Sequence, residues 1–227
     1  VLSGCGVFDG SEIHEASAAL VSLSREGVKY SIFAPNIPQM HTINHLNGQE
    51  ESVNRQVQTY KSARIARGNI AALDTLVAND YDAIVFPGGF GAAKNLSTVA
   101  VKGPDCEVND EVQRVIVDFH KLKKPMGFCC IAPTIVAKVL GTGEVTVGQS
   151  KNDDGKWPYA DTAQAIEKMG AKHPNFMTDK HLLNCFHEIH VDQENRVVTT
   201  AAFMCDADFH VVHDGVAAMV QTVLKMA

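Results

Sequence analysis

The chain has 227 residues, of which 45% are hydrophobic and 20% charged, and a formal net charge of −6 at neutral pH. That length suits one α/β domain (residues 1–227) with a large core, and the acidic balance argues against nucleic acid or an anionic membrane as the main partner. No apolar run reaches the length that spans a bilayer, and six cysteines without disulfide-framework spacing point to a reducing compartment.

In chain order, Val1-Leu2-Ser3 reads as the end of a longer first strand whose beginning lies upstream, so a targeting peptide is not legible. The glycine-rich loop Gly4-Cys5-Gly6-Val7-Phe8-Asp9-Gly10 then enters a helix over Ile13 to Glu26, with Ala19, Leu20 and Leu23 at helical spacing. Glu12 and Glu15 fall in its first turn. Carboxylates offset the helix dipole there, so one reading is capping and the other is that one of them reaches a reactive group. Lys29 to Ala34 reads as a strand, and Ala83 to Phe86 and Met126 to Cys129 as central strands with a helix over Val108 to Leu122 between them. Helix Thr134 to Leu140, strand Glu144 to Val147 and helix Thr162 to Met169 follow. Glu188 to Val191 and Arg196 to Thr200 flank a hairpin turn at Asp192-Gln193-Glu194-Asn195, and a helix over Asp208 to Met226 closes the chain. Such alternation is the pattern of a doubly wound, mostly parallel sheet with helices on both faces. Two long polar stretches, Asn36 to Tyr60 and Gln149 to Tyr159, are of a length that usually carries function. Each is a candidate cover for a pocket or an oligomer contact.

The most informative segment is Lys124-Pro125-Met126-Gly127-Phe128-Cys129-Cys130-Ile131-Ala132-Pro133-Thr134. A short apolar strand meets a cysteine and a helix starts at once, with Pro133 suited to the first helical turn. A cysteine on such a turn stands beside free N–H groups that favour a thiolate, the reactive form. This is the cysteine counterpart of the serine nucleophile elbow. The alternative is a small hydrophobe ending a core strand. Because side chains alternate along a strand, Cys130 is expected to face the pocket, with a lowered pKa, and Cys129 the core. The glycines of Pro87-Gly88-Gly89-Phe90-Gly91 match neither the P-loop nor the dinucleotide fingerprint. They suit one wall of an oxyanion hole, whose donors would be the N–H groups of Gly89 and Ile131. Since strand carboxyl ends share one edge of a doubly wound sheet, the Gly4–Gly10 loop, the Gly88-Gly89 loop and Cys130 should meet there.

These residues resemble the class I glutamine amidotransferase-like superfamily, which is flavodoxin-like in fold and includes deglycases and intracellular peptidases. Within it the chain is most similar to the branch of the bacterial isoprenoid-biosynthesis glyoxalase and its eukaryotic mitochondrial members. The resemblance runs through SGCGVFDGSEIHEAS, SARIARG, PGGFGAAKNLS, GFCCIAPTIVAKV, GKWPYADTAQAI and VVTTAAFMC, and GKWPYADT favours the eukaryotic members. It implies Cys130 as nucleophile, because Ile131-Ala132-Pro133 follow it, and Glu15, rather than Glu12, as the glutamate on the sulfur. It also implies a mitochondrial location and a homodimer. The histidine that other branches place beside the cysteine is Ile131 here, and the nearest match to an amidotransferase His-Pro-Glu is His173-Pro174-Asn175. No Cys-His-acid triad is legible, which argues against protease or glutaminase activity.

The remaining histidines read as structural. His187-Glu188-Ile189-His190 is one residue short of the zinc-protease spacing. His210 and His213, with Asp214, and the loop pair His41 and His45 suit surface positions, so no metal or other cofactor is expected. His14 is a candidate for a group acting behind Glu15, and Trp157 for a loop anchor or interface residue. Two functions remain open. One is a cofactor-independent glyoxalase or deglycase-like enzyme acting on small aldehydes. The other is a non-enzymatic redox-sensing or binding protein that keeps the elbow.

Overall fold

The structure, a computed structural model, describes residues 1–51, 58–176 and 188–227. Its elements are α1 (Ile13–Arg25), β1 (Phe33–Ala34), α2 (Gln58–Ser62), β2 (Ala71–Ala72), β3 (Ile84–Phe86), α3 (Phe90–Lys94), α4 (Val99–Lys102), α5 (Asp110–Lys121), β4 (Met126–Cys129), α6 (Pro133–Leu140), α7 (Thr162–Lys168), β5 (His190–Asp192), β6 (Val197–Thr200) and α8 (Phe209–Met226). β3, β4 and β6 run parallel in the order β3-β4-β6, and β5 adds an antiparallel edge to β6. β1 and β2 form a separate parallel pair. The first residues join the two sets: the Val1 nitrogen donates to the Val85 carbonyl (2.7 Å) and the Leu2 N–H to that of Phe33 (2.8 Å).

The core follows from apolar spacing. α5 buries Val112, Val115, Ile116 and Phe119, a stripe at the helical period, beneath an Asn109 side chain that accepts the N–H groups of Glu111 and Val112. α1 lies along α8, α8 rests on β4 and β6, and α5 packs against α6. Phe86 and Phe128, opposite one another on β3 and β4, stack at 4.9 Å with rings 6° from parallel, both wholly buried. Each such side chain contributes about 1.5–3 kcal/mol of burial, and the pair sets the spacing of the strands that end at the candidate site.

Two expectations need correction, and some short elements had no forecast. The strand expected over Lys29 to Ala34 is confined to Phe33–Ala34. Residues 29–33 and 80–85 flank a cleft of about 530 Å³, lined also by Leu20, Leu23, Val220 and Leu224. Phe33 and Ala34 pair with Ala71 and Ala72, and the Phe33 carbonyl also accepts the Leu2 N–H. Glu144 to Val147 is not a strand either: it makes a single bridge, Glu144 to Lys172. The edge of β6 that it would have joined is taken by β5, and the Thr146 N–H is met instead by Thr199 Oγ1 (3.0 Å). Finally, β2, α3 and α4 had no sequence forecast. Each is five residues or fewer, too short to show a period.

Candidate active site

β4 ends at Cys129 and α6 begins at Pro133, so the chain turns sharply at Cys130. That residue adopts φ +59°, the left-handed region that side chains rarely occupy. Its N–H is held by the Thr200 carbonyl at 3.1 Å, while the Ala132 N–H bonds back to the Cys129 carbonyl, also at 3.1 Å. The strain is imposed by pairing on both sides of the turn, as is common at functional positions. Opposite the turn, the backbone after β3 approaches so closely that a Cβ on Gly88 would lie 2.4 Å from the Cys130 Cβ and 2.9 Å from Glu15 Oε2. A glycine is needed there for space. Gly89 is needed for conformation too: it takes φ +90°, and a Cβ on it would meet the Glu12 N at 2.3 Å.

Glu15 comes from the first turn of α1 and is wholly buried. Its Oε2 accepts the Gly88 N–H (2.9 Å) and the Cys129 thiol (3.6 Å), and its Oε1 accepts the Phe203 N–H (3.4 Å). The Glu15 carboxyl and the N–H groups of Gly89 and Ile131 lie near enough to the Cys130 sulfur to act on its ionisation, the carboxylate opposing a thiolate and the N–H groups favouring it. Cys129, expected in the core, is wholly buried there and also bonds Glu15, while Cys130 follows the end of the strand in a left-handed turn. The two still differ in access: Cys130 keeps 7% of its surface exposed and Cys129 none.

The two glutamates divide the roles that the sequence left open. Glu12 caps α1, its Oε2 accepting the Glu15 N–H at 2.7 Å, while Glu15 reaches the sulfurs. Burial, reinforced by the nearby Glu12 charge, pushes the Glu15 carboxyl up to about 7. Burial and then the Glu15 charge push both thiols up. The lowered pKa expected for Cys130 from the helix start alone is thus corrected, because an ionised Glu15 opposes a thiolate beside it. A protonated Glu15 would lift that opposition, and the donors from Gly89 and Ile131 favour the thiolate, so the ionisations of Cys130 and Glu15 are linked.

The other sequence candidates lie around this unit. His14 Nδ1 is 2.8 Å from Glu12 Oε1. His45 accepts the Phe8 N–H through Nε2 (3.2 Å), the Ile43 N–H binds Asp9 Oδ2 (2.9 Å), and the Met40 N–H binds Asn95 Oδ1 (2.9 Å). The described part of the Asn36 to Tyr60 stretch is thereby strapped over the glycine-rich loop. His41 faces Glu50 at 4.0 Å, and His213 faces Asp214 at 3.2 Å. Among the described residues no group of three acidic, cysteine or histidine side chains has the geometry to hold a metal. His187 lies outside the described residues. His173 accepts the Val147 N–H (3.0 Å), and burial lowers its pKa to about 4. It thus ties down the 144–148 segment. Trp157 is buried against Gly148 and Phe176 and anchors the Gln149 to Tyr159 loop. Sequence reasoning missed Phe203, whose contribution is a backbone N–H with no side-chain signal, and the part played by Cys129. The cleft of about 530 Å³ is lined by neither Cys130, Glu15 nor Gly89, so it is not the space in front of the thiol.

No family model matches the chain. A human protein, glutamine amidotransferase-like class 1 domain-containing protein 3, mitochondrial, is 57% identical over 230 residues, covering all of this chain and 81% of the relative. The crystal structure of an isoprenoid biosynthesis protein with an amidotransferase-like domain from Ehrlichia chaffeensis superposes with a TM-score of 0.84 at 28% identity, over 99% of this chain and 96% of that one. Glyoxalase III from Candida albicans shares the fold at a TM-score of 0.58 and 14% identity, over 99% and 94% of the two chains. The architecture is thus the flavodoxin-like, amidotransferase-like α/β fold expected from the sequence, and the chain belongs to the family of the glutamine amidotransferase-like class 1 domain-containing protein 3.

Proposed function

We propose that the chain is a cofactor-independent glyoxalase acting on small reactive dicarbonyls, with Cys130 as nucleophile and Glu15 as the proton carrier. The observation that carries this reading is the buried Cys130–Glu15 unit, whose carboxyl sits at about 7 and so carries or yields a proton near neutral pH. With the proton on Glu15, the Cys130 thiolate adds to the aldehyde carbon of methylglyoxal, and Glu15 protonates the new alkoxide to give a hemithioacetal. The N–H groups of Gly89 and Ile131 support the oxygen charge as it develops. Glu15, now a carboxylate, takes the proton from the former aldehyde carbon and returns one to the neighbouring carbon through an enediol. The product is a thioester, and water hydrolyses it to the 2-hydroxy acid and the free thiol. The sum is one dicarbonyl plus one water giving one 2-hydroxy acid, with no net change in oxidation state.

Two features support the proposed setting. The mitochondrial label of the human relative supports assignment to that compartment, and Leu46, left 95% exposed on the 36–51 segment, supports a homodimer contact. One observation favours a second reading, in which the thiol serves as a redox sensor or binding group: Ile131 stands where a catalytic histidine would. Following methylglyoxal by NMR in D₂O with thiol-free protein separates the readings. The enzyme reading expects catalytic lactate bearing solvent deuterium at carbon 2. Consumption that stops at one equivalent per protein would leave only the second.

A further inference from the structure

The Cys130–Glu15 unit has a histidine wired to it from the outside. His14 is half exposed, with 55% of its side chain open to water, yet its ring is fixed. It packs at 4.5 Å against Phe209 and edge-on at 6.1 Å against Phe203, and Nδ1 sits 2.8 Å from Glu12 Oε1. The other oxygen of Glu12 holds the Glu15 N–H at 2.7 Å, and the Phe203 N–H reaches the Glu15 carboxyl itself. A solvent-facing ring thus touches two residues that in turn touch Glu15.

We infer that His14 is a positioning residue that, through Glu12, sets how readily Glu15 ionises beside Cys130. An anionic Glu12 disfavours a second carboxylate at Glu15, and a neutral Glu15 removes the charge that most opposes ionisation of the Cys130 thiol after burial itself. Histidine changes charge between about pH 5 and 8. Once His14 is a cation, it offsets the Glu12 charge, Glu15 ionises more readily, and the thiolate loses ground. The neutral ring, donating from Nδ1 to Glu12, orients the carboxylate without cancelling it. Among the described residues, Glu12 is the titratable group bonded to the His14 ring. Phe203 and Phe209, from the turn before α8 and from α8 itself, carry no charge, and neither Asp208 nor His210 beside Phe209 bonds to the ring. Glu15 is faced by Glu12, Cys129 and Cys130 and by the N–H groups of Gly88 and Phe203.

This inference rests on the Cys130–Glu15 reading above, but its test needs no substrate. The rate of Cys130 alkylation by iodoacetamide, mapped by peptide mass, is measured from pH 5.5 to 8 in wild type, His14→Gln and His14→Phe. The wild-type rate relative to either variant should fall about threefold on going from pH 8 to 5.5, half a pKa unit transmitted to the pair. His14→Phe keeps the ring packing, so a profile matching wild type would assign His14 a packing role and overturn the inference. In a Glu12→Gln background the His14 substitutions should no longer alter the profile, and an undiminished effect there would also overturn it. Absence of methylglyoxal turnover would count against the glyoxalase reading alone, leaving the alkylation profile to decide this one.

Discussion

Replacing Glu15 by Gln keeps the acceptor for the Gly88 N–H (2.9 Å) and removes the charge together with the acceptor of the long Phe203 contact (3.4 Å). The carboxyl sits at about 7 against 4.5 for a free glutamate, and at about 1.4 kcal/mol per pKa unit its ionised form costs the fold at most about 3.5 kcal/mol. Below pH 4.5 both the folded and the unfolded chain hold the proton, and the cost is absent. Between 4.5 and 7 the unfolded chain ionises first, so wild-type stability falls across that window and levels off above it. Glu15→Gln removes the window. Urea unfolding under reducing conditions should therefore show the variant gaining about 2–3 kcal/mol over wild type between pH 4.5 and 8. Parallel stability curves for the two proteins over that range would refute the reasoning, and a gap that widens toward low pH would reverse its sign. The same substitution should abolish turnover, separating the stability cost of the carboxyl from its use.

Gly88→Ala should lose about 2–3 kcal/mol by overpacking, since the added carbon would lie 2.4 Å from the Cys130 Cβ; calorimetry of purified protein checks this. Asn109→Ala, which frees the N–H groups of Glu111 and Val112, should cost about 1 kcal/mol by urea unfolding and leave thiol reactivity unchanged. Phe128→Ala should cost about 3–5 kcal/mol and lower the midpoint of thermal unfolding, because it empties one half of the stacked pair. Of the vicinal cysteines only Cys130 should be alkylated in the folded protein at pH 7, because Cys129 has no exposed surface; peptide mapping after a short iodoacetamide pulse reads this directly.

What was legible in the sequence depended on length of signal. α1, α5 and α8 show the helical apolar period over a dozen or more residues, and Met126 to Cys129 is a strand with those limits. The elbow was legible because glycine and proline mark backbone turns whatever lies around them, which placed Cys130, Gly89 and Ile131 together. Glu15 was singled out by resemblance, since a first-turn glutamate more often only caps, and Glu12 three residues earlier does cap. Tertiary competition was not legible. Nothing within Glu144 to Val147 shows that β5 already holds the edge of β6, and nothing in Lys29 to Ala34 shows that pairing is confined to Phe33 and Ala34. Electrostatics failed for a related reason. The helix start beside Cys130 argues for an acidic thiol, but the dominant effects, burial and a carboxylate brought from 115 residues earlier in the chain, exist only once the chain has folded.

The central claim is that the Cys130–Glu15 unit converts dicarbonyls catalytically without a cofactor. It is tested most directly by lactate formation from methylglyoxal, using wild type, Cys130→Ser and Cys129→Ser side by side after dialysis against chelator and removal of free thiols. The account predicts multiple turnovers for wild type, retained turnover for Cys129→Ser, and none above the protein-free background for Cys130→Ser. Turnover in Cys130→Ser equal to wild type, or its absence in all three folded proteins, would contradict it.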